Sequence, residues 1–123
     1  MIDQKTILVA DDRAPSRELI RSVLESSGYI VIEAADGLET LQKAGEFMPD
    51  LLILDLQMPN LDGFGVLAQL RQDGRFAMRP IVALTASAMQ GDRERAIAAG
   101  FSAYIAKPIG IVALRQEVAR LLS

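Results

Sequence analysis

Four short apolar runs in this chain each end at a residue that can take part in chemistry. If these runs are parallel strands, their carboxyl ends lie at one edge of a sheet, and the side chains that follow them converge there. Three carboxylates, a hydroxyl and an ammonium group would suit the binding of a hard cation and the handling of a phosphoryl group. The residues are Asp11 and Asp12 after ILVA, Asp55 after LLIL, Thr85 after IVAL and Lys107 after YIA.

The composition limits what such a site can be. The 123 residues fit one domain. Cysteine and histidine are both absent, which excludes disulfides, serine or cysteine triads and histidine-ligated metals, so any reacting histidine must come from another molecule. A net charge of -3 argues against binding to nucleic acid or an anionic membrane. No targeting segment or membrane-spanning run is seen, and the expected compartment is the cytoplasm.

Strand-length apolar runs alternate with longer amphipathic stretches along the whole chain. Five β-then-α units need crossover connections between parallel strands, so the sequence predicts an α/β fold with helices on both faces of a parallel sheet. The predicted strands lie near 5–10, 29–34, 50–55, 79–84 and 101–106.

The helices are predicted from their caps and from their apolar stripes. Pro15 suits a first helical turn, and Asp36 and Asp62 are predicted N-caps. Gly28 and Gly100 stand where a left-handed residue ends a helix. The stripes expected to be buried are Leu19, Ile20, Val23 and Leu24 in the first helix, Leu38, Leu41 and Gly45 in the second, and Ile111, Leu114, Val118 and Leu121 in the last.

Strand order follows from how apolar each run is. The first, third and fourth runs are nearly continuous, as in strands covered on both faces, whereas the fifth carries Ser102 and suits an edge. The simplest order is 2-1-3-4-5, a flavodoxin-like doubly wound sheet whose direction reverses between strands 1 and 3. A crevice then opens beside the three aspartates, within one domain spanning residues 1–123.

Crowding three carboxylates raises their pKa values and resists joint ionisation. A divalent cation removes that cost, and Mg²⁺ takes carboxylate oxygens, a backbone carbonyl and waters. Gln57, two residues after Asp55, is placed to offer the carbonyl. Taken alone, Asp12 is an equally good cap for the helix that contains Pro15. The presence of Asp11 and Asp55 at the same switch point favours the metal site.

Each remaining site residue has a functional and a structural interpretation. Asp55 beside a metal can be a nucleophile toward phosphorus. The residues MPNLDG that follow it already supply the turn, so we expect Asp55 to have no structural task. The Thr85 hydroxyl can donate to a phosphoryl oxygen, although threonine is common in strands. Lys107 can neutralise phosphoryl charge, although most lysines are solvated, and its bond to Pro108 is able to adopt the cis form.

Together these positions resemble the receiver domain of two-component response regulators. The similarity covers essentially the whole chain and keeps the family's order and spacing. The matching motifs are Asp11-Asp12 after strand 1, Asp55 within LLILDLQMPNLDG, Thr85-Ala86 after IVAL and Lys107-Pro108 after strand 5.

The resemblance implies a phosphoacceptor signalling domain that catalyses only its own phosphorylation and dephosphorylation. Asp55 would accept a phosphoryl group from a histidine on a sensor kinase or a phosphotransfer protein. By the same resemblance Asp12, Asp55 and the Gln57 carbonyl would bind Mg²⁺ directly, with Asp11 assisting through water. The phosphoryl oxygens would contact Thr85 and Lys107.

The resemblance also implies a conformational switch. The Thr85 hydroxyl would move toward the phosphoryl group and the Tyr104 ring would turn inward, reshaping the surface of helix 4, strand 5 and helix 5 for a downstream protein partner. On strand preference alone, Tyr104 is equally well a half-buried edge residue. Gln57 and Ser87 would flank the hydrolytic water and tune the lifetime of the acyl phosphate. A monomer or weak homodimer is expected.

Three alternatives compete with this interpretation. A haloacid-dehalogenase-type phosphohydrolase needs a second carboxylate two residues after its nucleophile, and that position holds Gln57. A flavodoxin shares the strand order, but the acidic, glycine-free loop DDRAPS does not suit an FMN phosphate. A degenerate receiver is not favoured, because all five positions are intact. The sequence leaves open the pathway and whether the regulator stands alone or is part of a larger protein.

Overall fold

Five strands and five helices alternate along the chain in the computed structural model, which describes residues 4–86 and 91–123. Each predicted strand lies within two residues of an observed one. None of the helices in these two stretches has the length and apolar character needed to cross a bilayer. The strands are β1 (Thr6–Ala10), β2 (Ile30–Ala34), β3 (Leu51–Asp55), β4 (Ile81–Thr85) and β5 (Ala103–Ala106), and the helices are α1 (Ala14–Ser26), α2 (Gly37–Phe47), α3 (Gly63–Gln72), α4 (Asp92–Ala99) and α5 (Ile111–Leu122).

All strand pairs are parallel and the order is β2-β1-β3-β4-β5, which confirms the predicted sheet. The register itself brings the site together. Ala10 of β1 lies opposite Leu54 of β3, so the residues that follow them, Asp11 and Asp55, leave neighbouring strand ends side by side. On the next strand along this edge, Thr85 of β4 lies opposite Ala106 of β5. The carboxyl-end convergence predicted from the sequence is therefore a consequence of strand pairing.

The sheet is covered on both faces, as predicted. Successive residues of a strand point to opposite sides, so Leu8 joins a core under α2, α3 and α4, whereas Ile7 joins a second core under α1 and α5. Every residue of β3 and β4 is buried. The edge strands β2 and β5 are only partly buried, in agreement with the edge position predicted for the fifth strand.

The buried face of α2 differs from the predicted stripe. Leu38 is 58% exposed and Gly45 is also exposed. The helix buries small side chains instead, which allow it to lie close to its neighbours, and the hydroxyl of Thr40 is satisfied inside by donating to the Asp36 carbonyl at 2.6 Å. The buried residues of this helix are Gly37, Thr40 and Ala44.

The stripes predicted for α1 and α5 are mostly correct. Each has one member that is exposed, Leu19 in α1 and Ile111 in α5. Both of these residues lie at an edge of the apolar face, where a side chain is only partly covered by the sheet. The fully buried members are Ile20, Val23 and Leu24 in α1 and Leu114 and Val118 in α5.

The predicted caps are confirmed. The side chains of Asp36 and Asp62 accept hydrogen bonds from the backbone N–H three residues further on, at 2.8 and 2.9 Å. Pro15 lies in the first turn of α1. Gly28 and Gly100 have φ of +95° and +119°, the left-handed region in which glycine is favoured.

The amino end of α2 lies against the loop between β3 and α3. A Cβ atom at Gly37 would lie 1.9 Å from the Leu61 carbonyl oxygen, so Gly37→Ala forces the helix or the loop to move. We expect a loss of about 1–3 kcal/mol in the free energy of unfolding, measured by urea denaturation.

Gly45→Ala in the same helix is the matched control. An added Cβ there has open space around it, and the higher helix propensity of alanine should raise stability by about 0.5–1 kcal/mol. Equal stability of the two variants would show that the close approach at Gly37 does not constrain the fold.

Candidate functional site

Asp11 and Asp55 each use one carboxylate oxygen within their own loop. Asp11 Oδ1 accepts a hydrogen bond from the Arg13 N–H, and Asp55 Oδ1 accepts one from the Gln57 N–H, both at 2.9 Å. These Asx turns start the loops that leave the sheet. The expectation that Asp55 has no structural task is therefore wrong. The turn role and a chemical role are compatible, because each aspartate keeps a second oxygen.

The second oxygens of the two aspartates share one ammonium group. Lys107 Nζ lies 2.9 Å from Asp11 Oδ2 and 3.1 Å from Asp55 Oδ2. The three side chains are 15%, 0% and 6% exposed, so these ion pairs are shielded from water. The Lys107-Pro108 peptide bond is cis, as the sequence allowed, and the Lys107 N–H donates to the Thr85 carbonyl at 2.7 Å.

Asp12 completes an acidic cluster with the two buried aspartates. One carboxylate oxygen from each of Asp11, Asp12 and Asp55 lies within 4.8 Å of the others. Asp12 is exposed, and the N-cap position of α1 belongs to Arg13, whose side chain makes no capping bond. Capping therefore does not explain Asp12.

The ionisation of the site reflects competition between burial and charge. Burial raises the pKa of Asp55 above its usual value even though Gln57 and Lys107 act in the opposite direction. Burial also acts to raise the pKa of Asp11, but there the hydrogen bonds of Arg13 and Ser16 and the neighbouring Lys107 outweigh it, and the pKa is lowered. The pKa of Lys107 is raised, because its two carboxylate partners outweigh its burial.

The donors of this cluster fit a hard divalent cation. All three side chains offer carboxylate oxygens, the ligands that Mg²⁺ prefers. Asp11 Oδ2 is fully buried and has no hydrogen-bond partner in the described part of the chain, since its close contact with Lys107 lacks hydrogen-bond geometry. One lysine balances only one of three negative charges. The cluster therefore carries more negative charge than its lysine balances, and a cation would offset that excess.

A cleft beside the cluster gives access to Thr85. Thr85 is 2% exposed at the end of β4, and the small neighbour Ala86 is exposed. Ser87 lies outside the described residues. The cleft has a volume of about 330 Å³ and is lined by Leu56, Gln57, Asp62, Phe64, Thr85, Asp92 and Arg95.

Tyr104 lies one strand away from Thr85. It is half-buried on β5, opposite Ala83, and packs against the core under α2, α3 and α4. Burial and the negative charges of Asp92 and Glu94 raise the pKa of its hydroxyl. The hydroxyl is therefore near enough to the first residues of α4 to sense their negative charge.

The sequence did not identify two arginines near the site. Arg17 Nη1 donates to the Asp11 carbonyl at 2.8 Å, and Arg95 lines the cleft with its guanidinium 5.3 Å from the Phe64 ring centre. An arginine five residues after an acidic pair is a weak signal in one sequence. For Arg95, the short helix α4 has too weak an apolar stripe to show which side chains face the cleft.

The chain is similar in sequence to known signalling proteins. The sequence profile of the family described as response regulator receiver domain matches residues 7–119. The polar-differentiation response regulator DivK of Brucella anthropi is 39% identical over 107 residues, covering 87% of this chain and 87% of DivK.

The chain is also similar in fold to solved structures of response regulators and receiver domains. The chemotaxis response regulator CheY4 of Vibrio cholerae superposes with a TM-score of 0.91 at 29% identity, covering 98% of this chain and 100% of CheY4. The receiver domain of the sensor histidine kinase PA1611 of Pseudomonas aeruginosa has a TM-score of 0.89 at 33% identity, covering 98% of both chains. That structure has a magnesium ion coordinated in its active site cleft.

Lys107→Met tests the electrostatics of the cluster. Removing the ammonium leaves two buried carboxylates without a cation, and we expect unfolding free energy to fall by about 3 kcal/mol in the absence of divalent ions. Added Mg²⁺ should stabilise the variant more than the wild type, as measured by urea denaturation.

Lys5→Met serves as the control for this prediction. Lys5 is an exposed lysine just before β1, at the opposite edge of the sheet, and its replacement should change stability by less than about 0.5 kcal/mol. Equal losses for the two lysine variants would contradict the ion-pair account.

Proposed function

Because this chain belongs to the family of response regulator receiver domains, we propose that Asp55 accepts a phosphoryl group from a histidine on a sensor kinase or phosphotransfer protein. The convergence of Asp11, Asp12 and Asp55 with Lys107 supports this most strongly. In this proposal residues 1–123 form one receiver domain acting in the cytoplasm. It is a phosphoacceptor that promotes only its own phosphorylation and dephosphorylation.

The proposed transfer is a substitution at phosphorus. A carboxylate oxygen of Asp55 forms the new P–O bond while the P–N bond to the donor imidazole breaks, and that nitrogen keeps the electron pair and takes up a proton from solvent. This chain contains no histidine, in keeping with a donor on another protein. Hydrolysis of the acyl phosphate returns the carboxylate and releases inorganic phosphate.

Asp11, Asp12, Asp55 and the Gln57 carbonyl are proposed to hold Mg²⁺. When bound, the ion offsets the repulsion between the carboxylates and the phosphoryl oxygens. The oxygen donors and the excess negative charge support this assignment, as does the buried Asp11 Oδ2, which has no hydrogen-bond partner among residues 4–86 and 91–123. The magnesium ion in the related receiver domain of PA1611 supports it as well.

Lys107 and Thr85 are proposed to bind the phosphoryl oxygens. Lys107 Nζ already lies 3.1 Å from Asp55 Oδ2, so its charge remains close when that carboxylate is esterified. Thr85 lines the cleft together with Gln57, where its hydroxyl can donate to a phosphoryl oxygen. Gln57 and Ser87 are proposed to set the lifetime of the acyl phosphate by flanking the attacking water.

The signal is proposed to leave through Tyr104. Thr85 and Tyr104 lie on adjacent strands, and the Tyr104 hydroxyl senses the charges of Asp92 and Glu94 at the start of α4. Movement of the Thr85 hydroxyl toward the phosphoryl group vacates space into which the ring turns, and the α4–β5–α5 surface changes for a downstream protein. The domain acts as a monomer or weak homodimer, and phosphorylation works by shifting the populations of two states.

Acetyl phosphate should label this chain once, at Asp55, in a Mg²⁺-dependent reaction. Intact-protein mass measurement should show one added phosphoryl group in the wild type, and none in Asp55→Asn or after chelation of the metal. Asp73→Asn is the matched control, because Asp73 follows α3 and is paired with Arg75 away from the site. Labelling of Asp55→Asn to the wild-type level would overturn the assignment. Many turnovers of a phosphate ester would indicate a hydrolase instead.

The switch can be followed by tyrosine fluorescence. The chain has two tyrosines and no tryptophan, so in a Tyr29→Phe background the emission comes from Tyr104 alone. Beryllium fluoride, which mimics a phosphoryl group on aspartate, should make Tyr104 less accessible to acrylamide quenching.

Thr85→Ala should remove this response, because no hydroxyl is left to follow the phosphoryl group. Beryllium fluoride must still bind to that variant, as checked by ¹⁹F NMR, and Thr85→Ser should retain the response. An unchanged response in Thr85→Ala would refute the coupling between the two residues.

A further inference from the structure

Arg17 connects the acidic loop to the neighbouring strand. Its Nη1 donates to the Asp11 carbonyl at 2.8 Å and its Nε donates to Glu33 Oε1 at 3.0 Å. The arginine and glutamate side chains are only 19% and 23% exposed. One planar guanidinium therefore bridges the β1–α1 loop and β2.

This bridge contributes one of the hydrogen bonds that fix Asp11. The Asp11 N–H donates to the Ala34 carbonyl at 3.1 Å, Oδ1 accepts from the Arg13 N–H, and the carbonyl accepts from Arg17. Only Oδ2 is left, and it faces Lys107. The bonded carbonyl belongs to the planar peptide group that joins Asp11 to Asp12, so rotation of this group would move both side chains.

We infer that Arg17 is a positioning residue, which holds the Asp11–Asp12 peptide so that both carboxylates face the cation site. This inference rests on the proposed function, because it concerns the affinity of the proposed Mg²⁺ site. Partners that orient metal ligands commonly influence affinity without touching the metal.

Glu33 supplies the fixed end of the bridge. Its Oε2 accepts from Arg21 Nη1 at 2.7 Å, and its carbonyl accepts from Lys43 Nζ at 2.6 Å. Arg21 pairs with Glu33 and Glu25 on the exposed side. Arg17 and Arg21 thus share an anchor, but the described contact with Asp11 belongs to Arg17, so Arg21 provides a matched control.

If Arg17 acts only through its charge, its removal should change Mg²⁺ affinity in the opposite direction from the loss of a positioning residue. A guanidinium near the cluster repels a cation, so its removal should tighten Mg²⁺ binding if only charge matters. Lysine at this position keeps the charge, but its single nitrogen cannot reproduce the planar two-point bridge. The direction in which Mg²⁺ affinity changes therefore distinguishes a positioning role of Arg17 from an effect of its charge.

The test is the Mg²⁺ dissociation constant of the full chain, measured by calorimetric titration well below the unfolding temperature. Arg17→Lys and Arg17→Gln should each bind Mg²⁺ about 10-fold more weakly, whereas Arg21→Gln should stay within about two-fold of the wild type. Wild-type affinity in Arg17→Lys, or tighter binding in Arg17→Gln, would overturn the inference. A purely structural role would lower the unfolding temperature and leave the affinity unchanged.

Glu33→Gln provides a second test if an Arg17 variant does not fold. It should weaken Mg²⁺ binding in the wild-type background. Where Arg17→Gln does fold, adding Glu33→Gln to it should have no further effect. Additive effects would show that Glu33 acts by charge and not through Arg17. A wild-type chain that does not bind Mg²⁺ would overturn the proposed function together with this inference, whereas normal binding with unaffected Arg17 variants overturns the inference alone.

Discussion

The main physical constraint on this structure is the repulsion between carboxylates that the parallel sheet brings together. Asp11 and Asp55 leave adjacent strands, and Lys107 is the ammonium group within reach of both. Burial and the nearby charge of Asp11 raise the pKa of Asp55, whereas the Arg13 N–H and Lys107 help to lower the pKa of Asp11. Additional positive charge beside Asp55 would favour its ionised form. This excess of negative charge is the main physical support for the proposed cation site.

The scaffold can hold this charge because its centre is rigid. The strands β3 and β4 are buried along their full length, and hydrophobic cores lie on both faces of the sheet. Asp55 and Thr85 are the last residues of these two strands, and Asp11 and Lys107 follow directly after β1 and β5. Asx turns at Asp11 and Asp55 fix the first step of two of these loops. Buried strands and Asx turns together fix the positions of the site's side chains.

Much of this arrangement could be predicted from the sequence, because it depends on local patterns. Continuous apolar runs identified the inner strands, and Asp36 and Asp62 identified helix starts. The convergence of Asp11, Asp55 and Lys107 then followed from strand order alone. The stripe proposed for α2 was wrong at Leu38, since a search for large apolar residues does not detect a face built from small ones. The role of Arg17 was missed because its partners, Asp11 and Glu33, are joined only by tertiary structure.

Asp55 itself is the residue proposed to become an acyl phosphate. Borohydride reduces an aspartyl phosphate to homoserine, so the modified position can be read directly by peptide mass spectrometry after treatment with a phosphodonor. The account predicts homoserine at position 55 and only when Mg²⁺ is present. Homoserine at another aspartate, or an unmodified position 55 in a protein that has taken up phosphate, would contradict it.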